Sequence, residues 1–288
     1  MTAAVVLAVL AGAAWAVNIV VVRWGLERTG VPAVVGAMVG VTIAAATAVI
    51  VAVAAGHDLP SWDDVWRFAL VGAIAPGSSQ GLFVAAIGRI GSSRTSVLVG
   101  TSPAWSVVLA IIFLDESWQA AIIVGTVVTI AGSAVIGWEP GLSGRRIGVL
   151  LALATALSFG VRDVVAREFG SSSSVSSWWA GAIVLGAAAI VLVAQAAVAE
   201  RSRLVAACRG ALPAFGVSGL VIGVALPLLL EALDRGRVGV VAPLSLASQN
   251  LTVVAVGSLV FGVHERTGRV VVAVALILAG ATLVGSAA

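Results

Sequence analysis

Long apolar stretches separated by short polar breaks run the whole length of this sequence. Ten can be placed, at 3–24, 32–55, 67–88, 95–114, 119–138, 147–168, 175–199, 211–233, 238–262 and 269–286. Each holds about 20 residues, the number a helix needs to cross a hydrocarbon layer about 30 Å thick. The breaks carry turn and headgroup residues: Glu27-Arg28, His57-Asp58-Leu59-Pro60, Arg89, Asp115-Glu116, Pro140-Gly141, Ser171 to Ser174, Arg201-Ser202-Arg203, Asp234-Arg235 and Glu265-Arg266. Trp24, Trp62, Trp66, Trp118, Trp138, Trp178 and Trp179 stand at the expected helix ends, where the amphipathic indole favours the interface. Trp15 and Trp105 fall inside spans. The pattern predicts an all-α integral membrane protein of ten transmembrane helices.

Composition agrees with this and narrows it. The chain is 60% hydrophobic and 10% charged, whereas a soluble domain carries about 25% charged residues. All 16 basic residues are Arg. The sequence pI of about 10.8 does not point to nucleic acid, because the arginines are scattered along the breaks rather than gathered into a stripe. Cys208, His57 and His264 have no zinc-ligand spacing, so neither a metal nor another cofactor is expected. The first apolar run has no preceding positive charge and continues to Arg23, so it reads as a retained span rather than a signal peptide.

Two stretches of the chain resemble each other. Leu7, Ala8, Val17, Val20, Val21 and Arg23 align without a gap on Leu151, Ala152, Val161, Val164, Val165 and Arg167. Trp15 faces Phe159 in this alignment, and Asn18 faces Arg162. The stretch 130–137 likewise matches 278–285, and each fifth span follows an acidic break. The chain therefore divides into five-helix repeats at 1–140 and 141–288. Five is odd, so the second repeat must run inverted, the architecture of secondary transporters with a binding site at the repeat interface.

The stretch Ala14-Trp15-Ala16-Val17-Asn18 with Arg23 resembles the first-helix signature of the EamA family in the drug/metabolite transporter superfamily. Pro103 and the turn Leu114-Asp115-Glu116-Ser117 resemble that family's fourth-helix proline and its Gly-Glu-Arg turn, with Asp115 in place of Gly and Ser117 in place of Arg. His264-Glu265-Arg266 is the second copy of the turn. The resemblance covers the chain in two copies. It implies ten helices, with helices 1, 3, 4 and 6, 8, 9 around a central cavity, and export of amino acids, other small metabolites or drugs. It also implies a bacterial cytoplasmic membrane protein with both termini cytoplasmic, working as a monomer on a small-molecule substrate. The arginine distribution opposes that orientation. Eleven arginines fall at the breaks and helix ends on the face away from the termini and five on the termini's face, and positive residues favour the cytoplasm.

A carrier needs polar groups turned to an internal space, since one left facing lipid costs several kcal/mol. Ser245, Ser248, Gln249 and Thr252 share one face of the ninth span, Gln249 being its most versatile hydrogen-bonding group. Ser and Thr also serve as glue between membrane helices. Ser102 and Trp105 stand beside Pro103, which bends the helix or frees a carbonyl near Val99. Trp15 with Asn18, and Gln80 after the Pro76-Gly77 break, complete the candidate lining. Arg162 is a candidate carboxylate partner, lying with Asp163 toward one end of the sixth span. Pro227 and Glu231 in the eighth span are candidates for gating or proton coupling, although Glu231 also reads as an ordinary helix-end charge.

No nucleophile–base pair and no His lies within any span, which argues against an intramembrane enzyme. A channel would repeat its lining about the membrane normal, unlike an inverted repeat. The lining offers neutral hydrogen-bonding groups, two indoles and at most Arg162 and Glu231 as charges. Such a site suits an amino acid best, with efflux of a lipophilic cation as the alternative.

Overall fold

The computed structural model describes residues 2–90, 92–117, 119–137, 146–201, 204–261 and 268–286. Trp118, Trp138, the Pro140-Gly141 break, Arg145, Ser202, Arg203 and the His264-Glu265-Arg266 turn lie outside these residues. The elements are α1 (Thr2–Thr29), α2 (Ala33–Ala54), α3 (Trp62–Gly72), a π-helical turn (Ala73–Ser78), α4 (Ser79–Ile90), α5 (Ser92–Val99), α6 (Ser102–Phe113), α7 (Ala120–Gly137), α8 (Arg146–Ser171), α9 (Ser177–Glu200), α10 (Leu204–Arg235), α11 (Val238–Phe261) and α12 (Gly268–Ser286). Every element among the described residues is helical. α1, α2, α8, α9, α10 and α11 are each long and apolar enough to cross a bilayer alone, and α7 and α12 are shorter apolar helices. With α3–α4 as the third span and α5–α6 as the fourth, the protein is a multi-pass membrane protein of ten spans.

The third and fourth spans are broken where the sequence pattern reads as continuous. In the third, Ala75 is extended (φ −150°, ψ 124°) and Pro76 follows it inside the π turn. Pro76 has no N–H to donate and restricts the residue before it, so the ladder opens there. In the fourth, Pro103 sits in the first turn of α6, where a missing N–H leaves no bond unmade. The chain breaks just before it, at Gly100-Thr101, and does not bend through it. Thr101 closes this break by bonding the Leu98 carbonyl through both its N–H (3.1 Å) and its hydroxyl (2.6 Å).

The spans alternate in direction, so Thr2 and Ser286 end on one face of the bundle, called here the terminal face. α1 packs on α10 and α11, whereas α8 packs on α4 and α6. α2 packs on α9 and α10, α9 also on α3, and α7 on α12. Between membrane helices lipid removes most of the hydrophobic drive, and close packing of small residues replaces it. The alanines lining α1 (Ala4, Ala8, Ala11 and Ala16) are accordingly all buried. At the α7–α12 contact, a Cβ added to Gly125 would lie 2.7 Å from the Gly280 carbonyl, so only glycine allows that approach.

Polar contacts join separate elements along the terminal face. Glu116 accepts from the backbone N–H of Val238 (2.7 Å) and Gly239 (3.1 Å), the first residues of α11, and so caps that helix. Arg237 returns to the Ser117 carbonyl and to its hydroxyl. Asp115, just before Glu116, has φ +50°, in the left-handed region that favours glycine. This accounts for the glycine that the resembled turn carries there. Asp115→Gly is expected to leave stability unchanged or raised, and Asp115→Val to lower it by about 1–2 kcal/mol. Thermal unfolding of the two variants in detergent checks this. Asp64 caps α3 together with Ser61, and Ser173 from the α8–α9 turn donates to it. The Ser173 bond, then that of Ser61, holds the Asp64 carboxyl below its ordinary value.

Candidate functional site

α6 and α8 meet at a glycine. A Cβ on Gly160 would lie 2.6 Å from the Trp105 Cβ and 3.0 Å from the Ser106 nitrogen, so the two backbones touch there. Two and three residues further along α8 stand Arg162 and Asp163, nine and eight residues before the end of the helix at Ser171. That places them about 12–14 Å inside the terminal face at about 1.5 Å per residue. Their side chains are 11% and 7% exposed, and they form an ion pair of 2.8 Å. Both Arg162 Nε (3.0 Å) and Nη2 (2.8 Å) donate to Asp163 Oδ1. The other carboxylate oxygen, Oδ2, accepts from Ser106 Oγ across the α6–α8 contact at 2.9 Å. Arg162 also lies over the Phe159 ring, 5.0 Å from its centroid, a favourable cation–π position.

A carboxylate this deep is costly unless it is paired and hydrogen-bonded, and Asp163 is both. The cluster is thus neutral as a whole, but holds separate positive and negative ends beside two aromatic side chains. Sequence reasoning singled out Ser102, Pro103, Trp105 and Arg162, which the α6–α8 contact brings into one neighbourhood. Ser102 supplies a carbonyl 3.2 Å from Ser106 Oγ, Pro103 is buried, and Trp105 is 37% exposed. Ser106 shares the helical face of Ser102 and Trp105 in the sequence reading, whereas Asp163 was not among the candidates. The usable signal for Asp163 was an acid beside an arginine inside an apolar run.

The remaining candidates stand elsewhere. α1 and α11 meet at Gly12, where an added Cβ would collide with the Ser245 carbonyl. Ser245 is buried, and Ser248 donates to the Val9 carbonyl at 2.7 Å. Asn18 is buried and accepts from Ser218 of α10 at 2.6 Å. Trp15 packs half-buried against the main apolar core, and Gln249 is half-buried on α11. Gln80 is half-buried just after the π turn, beside Ser79, whose buried hydroxyl has no partner. Pro227 packs on Gly181 of α9. Glu231 accepts from Ser177 and Arg235 at the end of α10, where it borders an open groove of about 450 Å³ with Thr2, Val6 and Leu7. Two sets therefore form, one at α1–α11 and the other at α6–α8. Asn18, which aligns with Arg162 in the sequence, makes a neutral bond where Arg162 makes a charged one. Asn250, off the polar stripe, donates to Ser133 of α7 at 2.7 Å and ties α11 to that helix. Among the described residues there is no group of three His, Cys, Asp or Glu able to hold a metal.

Three comparisons with known proteins bear on this arrangement. Residues 2–138 match the profile of the EamA-like transporter family. A protein of Streptantibioticus cattleyicolor named as a probable terminal-alkyne amino-acid exporter is 30% identical over 190 residues, covering 61% of this chain and 63% of that protein. The chain thus spans less than two thirds of the length of that relative. A solved crystal structure superposes with a TM-score of 0.80 at 20% identity, covering 100% of this chain and 98% of the other. That likeness fixes the fold alone.

Proposed function

We propose that the protein, whose residues 2–138 match the EamA-like transporter family, is a secondary carrier, not an enzyme, that exports neutral amino acids by alternating access. The observation that carries the substrate class is the Arg162–Asp163 pair beside Trp105 and Phe159. A zwitterion has a positive and a negative end, like the pair, and Arg162 is positioned to take its carboxylate with a forked pair of N–H groups. The two rings offer apolar surface to a side chain. The relative named as an amino-acid exporter supports the same class and the same direction.

The carrier is read as two inverted five-helix repeats, 1–140 and 141–288. The packing pairs support this reading, because each recurs when span n is exchanged for span n+5. α1 on α10 and α11 corresponds to α8 on α4 and α6, while α2 with α9 and α7 with α12 correspond to themselves. Alternating access would then rock one repeat against the other, with Gln249 and Asn18 on the α1–α11 side of the path. One copy of the chain holds every residue invoked. Efflux of a lipophilic cation is the second reading, and the buried Asp163 favours it; Arg162, which already neutralises that acid, disfavours it.

The test is counterflow of a panel of amino acids into proteoliposomes. Leucine, phenylalanine and propargylglycine are expected to exchange, and Gln249→Ala to slow their exchange. Failure of all three, with uptake of tetraphenylphosphonium instead, would replace amino-acid export by cation efflux.

The carrier is read as lying in the bacterial cytoplasmic membrane with both termini inside. Its single cysteine, Cys208, is half-buried near the start of α10, on the face opposite the termini. In intact cells a membrane-impermeant maleimide is expected to label Cys208 from outside. Labelling only after the cells are opened would reverse the orientation and agree with the arginine count.

A further inference from the structure

We infer that Asp163 is the coupling site of this carrier, a carboxylate that holds either the ammonium group of the substrate or a proton, so that one proton enters for each amino acid exported. The inference rests on the amino-acid reading above and deepens it.

Three features of the cluster carry it. First, Asp163 joins a buried charge to the contact between α6 and α8, where the two repeats meet. A change of its charge is therefore felt by the elements that must move. Second, Ser106 has two acceptors for its one hydroxyl proton, Asp163 Oδ2 at 2.9 Å and the Ser102 carbonyl at 3.2 Å. When Asp163 is ionised, Ser106 donates to it. When Asp163 carries a proton on Oδ2, that proton can be donated to Ser106 Oγ, and the serine hydroxyl turns to the Ser102 carbonyl. Neither state strands a buried polar group, which would otherwise cost about 1–3 kcal/mol. Third, Arg162 does not depend on Asp163 alone. It lies over the Phe159 ring, and the Oδ1 of a neutral Asp163 still accepts its two N–H groups.

The exchange balances in charge and atoms. On the loading side the zwitterion places its carboxylate on Arg162 and its ammonium on the Asp163 carboxylate, displacing the proton. On the releasing side a proton adds to the Asp163 carboxylate, the ammonium loses its partner, and the amino acid departs. The proton-bound site returns with one positive charge more than the amino-acid-bound site, so each cycle moves one net charge.

The other elements packed on α8 bring no competing acid to this depth. Arg89 and Arg94 belong to α4 and α5, and Asp64 and Arg67 to the first turns of α3. In α10, Arg209 belongs to the first two turns and Glu231, Asp234 and Arg235 to the last five residues, and α6 and α11 carry no charged residue. Facing Asp163 itself are Arg162 and Ser106.

The experiment uses the full chain in proteoliposomes containing pyranine, with leucine, phenylalanine and propargylglycine as probes. With an acidic interior, the wild type is expected to accumulate the amino acid that shows counterflow, by about tenfold per unit of pH difference at a one-to-one exchange. Pyranine should report one proton leaving per molecule taken up, and an interior-positive potential should raise uptake further. Asp163→Asn is expected to keep counterflow at a raised KM but to lose the pH-driven accumulation and the pH dependence of exchange. If Asp163→Asn abolishes counterflow too, Asp163→Glu takes its place. That variant keeps a carboxylate one methylene further out and must displace the pH profile; an unchanged profile overturns the inference. Counterflow in the wild type without any pH drive, or pH drive intact in Asp163→Asn, also overturns it and leaves the amino-acid reading standing. Absence of counterflow for every amino acid overturns both.

Discussion

Arg162→Ala is expected to be the most damaging single change in the protein. It removes the partner that satisfies Oδ1 of a carboxylate only 7% exposed, and stranding one member of a buried ion pair costs about 3–5 kcal/mol. Thermal unfolding in detergent should fall accordingly, and counterflow of amino acids should be lost. The double variant Arg162→Gln/Asp163→Asn removes both charges and keeps hydrogen-bonding groups. It should recover most of the stability, because the charges go together, while transport stays absent, because neither end of a zwitterion is met. If the double variant is as unstable as Arg162→Ala, the pair is not the source of the loss.

The second large effect belongs to Gly160→Leu. Even one carbon at this position would meet the Trp105 Cβ at 2.6 Å and the Ser106 backbone nitrogen at 3.0 Å, and backbone cannot step aside as a flexible side chain can. Overpacking of this kind costs about 1–3 kcal/mol for small additions, and leucine exceeds a small addition. The α6–α8 contact should open, taking Ser106 away from Asp163. Gly186→Leu on α9 is the control, since nothing lies within 4 Å of a Cβ added there. That side chain enters free space and should be neutral. Leucine is a better helix former than glycine, so propensity favours both variants; equal losses would mean that the α6–α8 contact does not set the effect.

How much of this was legible in the sequence follows from the physics of each feature. The spans were readable because about 20 apolar residues in a row have few other uses. The breaks inside the third and fourth spans were harder. Pro76 and Pro103 announce that something happens, but whether a proline bends a helix or starts a new one depends on where the neighbouring ladder ends. Asp115 explains itself only once φ is known, although the glycine of the resembled turn was a hint. In the sequence Asp163 reads only as one of two charges near a span end. Its burial depends on α6 approaching at Gly160, a tertiary fact with no periodic signature. Ser245 and Ser248 show the reverse. Their spacing reads as a polar face, and in the fold that face is spent on α1. Serines alone do not distinguish a lining from an adhesive, because both uses need the same residue at the same spacing.

The Arg162–Asp163 site is expected to hold a zwitterion by both of its ends. The measurement that tests it most directly compares three molecules sharing one ring: phenylalanine, phenethylamine, which lacks the carboxylate, and 3-phenylpropionate, which lacks the ammonium. Each is offered as an inhibitor of phenylalanine counterflow in proteoliposomes of the wild-type chain. Unlabelled phenylalanine is expected to inhibit strongly and either analogue at least tenfold more weakly, since each loses one charged contact worth about 1.5–3 kcal/mol. Phenethylamine inhibiting as well as phenylalanine would contradict it, because the site would then be reading a cation and not a zwitterion.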